Sequence, residues 1–238
     1  MLDVRGLWKA FGGVVAVRDL TFVVREGEIV GLLGPNGSGK TTVFNLVTGL
    51  IAADRGEIWF AGTPIAGLPA HRRASLGIAR TFQLVRTLGR LSVRDNVAVA
   101  RMWGTGRQRS PDRARADADE LLARVGLAGH AEKPAVALTL AERRRLEVAR
   151  ALAAGPRLLL LDEPLAGLSE EEVGAEIALF RRLRDEGITL VLVEHAVAAV
   201  RALCDRVVFL HAGEKVAEGA PDDVLAHPRV VDVYLGDG

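Results

Sequence analysis

The sequence predicts an α/β protein, with a mostly parallel central sheet, antiparallel β strands towards the N-terminus and a helical subdomain inserted midway. Three observations carry that reading. Short β-branched or leucine-rich runs recur ahead of helical stretches, at Glu28 to Leu33, Arg157 to Leu161, Ile188 to Val193 and Arg206 to Leu210. Runs that are apolar on both faces suit central, largely parallel strands. The first of them passes through GPNGSGKTT into TVFNLVTGL, which reads as strand, glycine loop and helix, the βα unit of such a sheet. From Ser92 to Ala154, by contrast, helical patterns follow one another with no convincing strand.

Within that middle third, Ser92 with Asp95 forms a capping pair that opens one helix, and Ser110-Pro111 opens a second that Gly126 closes. Thr139 with Glu142 is a capping box for a third helix, terminated by Gly155-Pro156. The expected organisation is one domain over 1–238, with core segments 1–85 and 157–238 and an inserted helical subdomain at about 86–156. Past Ile188 the sheet resumes, a turn at His211 to Glu214 joins two short strands, and a small helix forms near Pro221 to Leu225. Gly104 to Ser110 is the expected mobile surface loop.

Composition narrows the classes. Hydrophobic residues make up 49% of the 238, enough for one substantial core. The net charge of +1 supplies no global field that would recruit nucleic acid. No apolar run approaches the roughly 20 residues needed to cross a bilayer, the start MLDVRGLWKAFGG lacks the features of a secretory signal, and Cys204 is the only cysteine. The cytosol is therefore the expected compartment, and Cys204 is expected to be a buried, inert thiol.

Gly34, Gly39, Lys40 and Thr41 satisfy G-x-x-x-x-G-K-[ST] in its required strand-to-helix context. The stretch Gly34, Pro35, Asn36, Gly37, Ser38, Gly39, Lys40, Thr41 and Thr42 is thus a phosphate loop of a P-loop NTPase core. Its backbone N–H groups from about Gly37 to Thr42 point at a β-phosphate at the positive end of the following helix. Lys40 reaches the β- and γ-phosphates, and the Thr41 hydroxyl is placed for Mg²⁺, which prefers oxygen ligands. Phosphate plus Mg²⁺ means a nucleoside triphosphate.

Leu158 to Leu161 runs into Asp162-Glu163, two carboxylates at the C-terminal edge of the sheet, where ligands of open α/β sheets bind. Beside a phosphate loop, Asp162 is expected to hold Mg²⁺ through water and Glu163 to orient the attacking water. Without that loop, two solvated acids would be the better reading. His195 stands at another strand end and, taken alone, reads as structural or surface. His71, His130, His211 and His227 lie in expected turns or loops with no matching partner.

In order along the chain stand Phe11, GPNGSGKTT (34–42), TFQ (81–83), LTLAERRRLEVAR (138–150), LLLLDEP (158–164), AGLS (166–169) and VEH (193–195). This set resembles the nucleotide-binding subunits of the ABC transporter family over nearly the whole chain. The resemblance implies an ATPase using ATP and Mg²⁺, in which Phe11 stacks on adenine, Gln83 joins Mg²⁺ and the attacking water to a membrane-subunit contact, and His195 contacts the γ-phosphate. Read singly, Phe11 is a core residue and Gln83 a surface amide. GIARTFQLVRTLGRLSVRDNV (77–97) and VAEGAPDDVLAHPRVVDVYLG (216–236) resemble the ATPases of branched-chain amino acid importers. That likeness implies a second ATPase subunit, identical or different, transmembrane permease subunits, an external solute-binding protein reached indirectly, and a peripheral place on the cytoplasmic face of the membrane.

The family closes ATP between two subunits with a helix N-terminus usually read LSGGQ, and the matching segment here is Leu138 to Glu142. Thr139 keeps a hydroxyl, whereas Leu140 and Ala141 each put a Cβ where glycine would permit close phosphate approach. Ser169 replaces the aspartate common at its position, and with Glu172 it forms a plain capping box. Rival readings fare worse. Arg101 to Arg115 holds five arginines, which would suit a nucleic-acid or lipid-headgroup site in a soluble, non-transport ATPase of the same superfamily, but Asp112, Asp117 and Asp119 dilute the charge and Trp103 is almost the only aromatic nearby, so no nucleic acid partner is expected. A small-molecule kinase would explain the phosphate loop but not Gln83, Thr139 or His195. A non-catalytic regulatory subunit would require Glu163 to be dispensable.

Overall fold

The four apolar runs become adjacent strands in the computed structural model, which describes residues 1–82, 87–103 and 110–236. In chain order the strands are β1 (Leu2–Phe11), β2 (Val14–Val24), β3 (Ile29–Leu33), β4 (Arg55–Phe60), β5 (Thr63–Pro64), β6 (Ile78–Arg80), β7 (Leu158–Asp162), β8 (Thr189–Val193), β9 (Arg206–His211) and β10 (Glu214–Gly219). The helices are α1 (Lys40–Thr48), α2 (Ala70–Ser75), α3 (Val93–Trp103), α4 (Pro111–Arg124), α5 (Leu140–Ala153), α6 (Glu170–Asp185), α7 (Val197–Leu203), α8 (Pro221–Leu225) and α9 (Pro228–Gly236). One sheet is antiparallel, in the order β2-β1-β4-β5. The other runs β10-β9-β3-β8-β7-β6 and is parallel except for the hairpin β9-β10.

The two-faced strands follow from what covers each face. Val30, Leu32, Leu158, Leu160, Val191 and Val193 face a core shared with α1 and the antiparallel sheet. Their alternates Ile29, Leu33, Leu159, Leu161, Leu190 and Leu192 pack against helices on the other side. With apolar cover on both faces a strand gains nothing from polar alternation, and each buried Leu or Val contributes about 1.5–3 kcal/mol. Where β3 passes α7, Gly31 leaves room for Cys204, whose Sγ lies 3.0 Å from the position a Cβ would take. That thiol is buried, and burial pushes it up to about 12, so it is inert at physiological pH.

Local chemistry sets the helix limits. The Ser92 hydroxyl accepts from the Asp95 N–H at 3.0 Å ahead of α3, Pro111 opens α4, and Gly126 follows that helix at φ 75°. Both anticipated capping boxes form: Thr139 Oγ1 accepts from Glu142 N at 3.3 Å, and Ser169 Oγ accepts from Glu172 N at 3.3 Å, each with the reciprocal carboxylate contact. The turn between β9 and β10 has Ala212 and Gly213 at φ 48° and 83°, the pair of positive angles a tight hairpin demands. The expected loop at Gly104 to Ser110 lies outside the described residues apart from Ser110, which precedes α4. Sequence patterning did not anticipate α2, β6 or α9, which are short or weakly patterned. No helix among the described residues is long and apolar enough to cross a membrane.

If capping is the whole role of Ser169, Ser169→Ala lowers stability by about 1 kcal/mol and Ser169→Asp by a few tenths or less. Urea unfolding midpoints at unchanged slope check this, and an equal loss for both variants overturns it.

Candidate nucleotide-binding site

Because β3, β6, β7 and β8 are parallel, their C-terminal ends deliver the phosphate loop, Thr81-Phe82, Asp162-Glu163 and Glu194-His195 to one edge of the sheet. The loop's glycines answer specific crowding. A Cβ on Gly34, at φ 144°, would stand 2.1 Å from the Leu210 carbonyl oxygen, and one on Gly39, at φ 103°, would stand 2.4 Å from that of Ala16. Gly39 is also the N-cap of α1 and offers no side-chain acceptor, so the first amides of that helix are left for an anion.

Lys40 is buried and its Nζ donates to the carbonyls of Gly34 at 2.7 Å and Pro35 at 2.8 Å. Burial pulls its ammonium pKa down, opposed by the charges of Glu163 and Asp162. The lysine is therefore held at the loop by neutral carbonyls that a phosphate can outbid. Around it lies a cavity of about 170 Å³ lined by the loop residues Asn36 to Thr42, with Ala16, Glu163 and His195.

Glu163 sits at φ 49°, a left-handed conformation costing a non-glycine residue roughly 1–2 kcal/mol. Its N–H donates to the Val193 carbonyl at 3.0 Å, its carbonyl accepts from Arg144 Nη1 at 2.5 Å, and its Oε1 is 3.3 Å from His195 Nε2. Asp162 lies behind it, 4% exposed, with Oδ2 paired to Arg80 Nη2 at 2.7 Å and its N–H donating to Thr81 Oγ1 at 3.2 Å. Arg80 in turn bridges to Asn45 Oδ1 on α1 at 2.5 Å, and its guanidinium lies over the Phe44 and Phe82 rings, 5.4 and 5.2 Å from their centres. Sequence reading passed over Arg80 and Arg144, because an arginine in a strand or on a helix carries no motif; only their positions beside TFQ and in the helix after Thr139 hinted at them.

The predicted residues thus fall into groups. Asn36 to Thr42, Glu163 and His195 share one cavity, Gly34 and Pro35 reach it through the Lys40 ammonium that their carbonyls hold, and Asp162 lies close enough to raise the pKa of Lys40. Phe11 is 49% exposed at the end of the β1-β2 hairpin, whose Ala16 reaches the cavity. Gln83 lies outside the described residues. Thr139 and Ala141 open α5 away from the cavity lining. Ala141 is buried, whereas Thr139 and Leu140 are exposed, Leu140 to 44%. His130 departs from expectation by standing 3.0 Å from the Glu142 carboxylate, and His71 lies in α2 rather than a loop. In the arginine-rich stretch, Arg101 pairs with Asp117 and Arg115 with Asp95.

A hydroxyl and one carboxylate suit a hard cation that keeps phosphate and water ligands, as Mg²⁺ does. Among the described residues no group of three or more His, Cys, Asp or Glu could cage a metal alone. A larger cavity of about 470 Å³ lies between α2, β6 and α5, lined mainly by apolar atoms of residues such as Leu50, Ala74, Ile78, Phe82 and Ala151. It lacks the ring of loop amides and is not the phosphate site.

Comparison with known proteins places the chain in a family. A family model described as ABC transporter matches residues 17–166, and one described as branched-chain amino acid ATP-binding cassette transporter matches residues 214–238. The high-affinity branched-chain amino acid transport ATP-binding protein LivG of Salmonella typhimurium is 37% identical over 100% of this chain and 98% of its own. The crystal structure of the ADP conformation of an ATP-binding cassette of an ABC transporter superposes with a TM-score of 0.90 at 27% identity, covering 99% of this chain and 98% of the other. A dimeric cassette in a post-hydrolysis state, bound to ADP and Pi, matches with a TM-score of 0.83 at 25% identity, over 93% of this chain and 99% of that one. With its phosphate loop, acidic strand end and strand order accounted for, the chain belongs to the ABC transporter family, as one of its ATP-binding, ATP-hydrolysing subunits.

Proposed function

We propose that this subunit powers a membrane importer for branched-chain or related amino acids from the cytoplasmic face of the membrane. The observation that carries the reading is the single cavity where the phosphate loop, Glu163 and His195 converge, joined to a C-terminal segment matching the branched-chain amino acid cassettes. Lys40 exchanges the Gly34 and Pro35 carbonyls for phosphate oxygens, and the amides at the start of α1 cradle the β-phosphate. Thr41 and Asp162 hold Mg²⁺, which when bound neutralises charge on the phosphate oxygens. Glu163 orients the attacking water, His195 steadies Glu163 and meets the γ-phosphate, and Phe11 and Gln83 take the adenine and coupling roles that the family resemblance implies.

The partners follow the same reading. A second ATPase subunit, identical or different, closes the site with the start of its own α5, while Thr139 and Leu140 here face the partner's nucleotide. The apolar groove beside Phe82 suits a helix of a permease subunit, and the solute-binding protein acts through the permease. Reconstitution of the full chain with permeases and binding protein in liposomes tests this. Free phosphate release should rise when the binding protein carries leucine, and Lys40→Ala should weaken ATP binding roughly 10- to 100-fold, the worth of a charged hydrogen bond to phosphate. Turnover indifferent to loaded binding protein removes the importer assignment, and unchanged ATP affinity in the variant removes the phosphate-loop assignment.

A further inference from the structure

Glu194 is a carboxylate buried to 3% exposure that no step above uses. Its two oxygens are spent on backbone: Oε1 accepts from the Leu165 N–H at 2.8 Å and Oε2 from the His195 N–H at 3.2 Å. Leu165 lies on the loop leaving β7, two residues past Glu163, and His195 lies on the loop leaving β8. The same two loops meet again where Glu163 N donates to the Val193 carbonyl at 3.0 Å and where His195 Nε2 approaches Glu163 Oε1 at 3.3 Å. One buried side chain therefore closes a ring of contacts around the Glu163-His195 pair.

The geometry points to Glu194 as a positioning residue that holds the Glu163 and His195 loops in register for ATP hydrolysis. This rests on the assignment of Glu163 as the water-orienting group. A carboxylate is required because two N–H donors converge on one side chain, and only a carboxylate presents two acceptor oxygens there. Glutamine of the same shape would satisfy one and turn an NH₂ against the other. Glu163 needs such support, since its left-handed backbone persists only where its surroundings over-determine it. Burial raises the Glu194 carboxyl, as does the nearby Glu163 charge, while the two backbone N–H groups and His195 lower it.

The test is a double-mutant cycle on the assembled transporter. Glu194→Gln is expected to lower kcat roughly 10- to 100-fold, the scale of an ångström-sized displacement of a reacting group, with ATP affinity and KM within about twofold, since the phosphate loop is untouched. In a Glu163→Gln background the same change should cost clearly less than in the native protein, because the share of its effect that runs through the Glu163 carboxylate is already lost. If Glu194→Gln does not fold, Glu194→Asp, too short to span both donors, carries the same expectation. Turnover within twofold of native, an additive loss in the Glu163→Gln background, or a parallel fall in ATP affinity each overturns the proposal. Failure of the underlying reading looks different: Glu163→Gln alone would then hydrolyse ATP at the native rate.

Discussion

Glu163→Gln is expected to slow ATP turnover roughly 100- to 10,000-fold, the usual worth of a positioned acid-base group, while leaving nucleotide binding intact or tighter. The substitution isolates chemistry from structure. Its backbone contacts, the N–H to Val193 and the carbonyl to Arg144, do not involve the side chain and survive. The amide oxygen can still meet His195 Nε2 where the carboxylate does, at 3.3 Å. What disappears is the negative charge and its ability to orient and polarise water. That charge also helps keep the buried Lys40 protonated, but it repels a triphosphate entering the same cavity, so its loss leaves binding intact or tighter where the repulsion outweighs that support. Equilibrium ATP binding and single-turnover phosphate release, measured on the same complex, separate the two effects. Native turnover would mean that the water is held elsewhere.

The sequence carried the phosphate loop and the acidic strand end because both are short, contiguous and chemically constrained. Gly34 and Gly39 are dictated by carbonyls that approach within 2.1 and 2.4 Å of an added Cβ, and such crowding leaves a local signature. The parallel strands were legible for a similar reason, since apolar cover on both faces removes alternation. Arg80, Arg144 and Glu194 were not legible. Their importance lies in pairs separated by many residues, Arg80 with Asp162, Arg144 with the Glu163 carbonyl and Glu194 with the Leu165 amide. A single sequence does not reveal which arginine or glutamate will be bent back into a site. Leu140 and Ala141 illustrate a subtler limit: both stand where the family motif has glycine, and only the phase of α5 distinguishes them, burying Ala141 and exposing Leu140.

The largest expected stability loss comes from a residue with no role in the chemistry. Arg73 on α2 is 2% exposed, and among the described residues no carboxylate pairs with it. Four carbonyls take its place as partners: Nε donates to Leu68 at 2.8 Å, Nη1 to Leu46 at 2.5 Å and Val47 at 3.0 Å, and Nη2 to Ala66 at 2.7 Å. Leu46 and Val47 lie in the last turn of α1, the helix whose opposite end forms the phosphate site. The guanidinium therefore sits at the negative end of that helix dipole and satisfies carbonyls the helix leaves open. Gly49, at φ 76°, makes room for it, since a Cβ there would lie 2.7 Å from Arg73 Nε. Burial pulls the guanidinium pKa down, although an arginine stays charged at neutral pH. Arg73→Met keeps the volume and removes every donor, stranding buried carbonyls at about 1–3 kcal/mol each before relaxation and water entry. A net loss of about 3–5 kcal/mol is expected, equivalent to a fall in Tm on the order of 6–20 °C for a chain of this size. Arg73→Lys should recover only part of it, because an ammonium cannot present a planar fork to four acceptors. Urea unfolding of the three proteins decides the matter. A methionine variant within 1 kcal/mol of native would show that α1 ends securely without this arginine, and that the burial of its charge needs another cause.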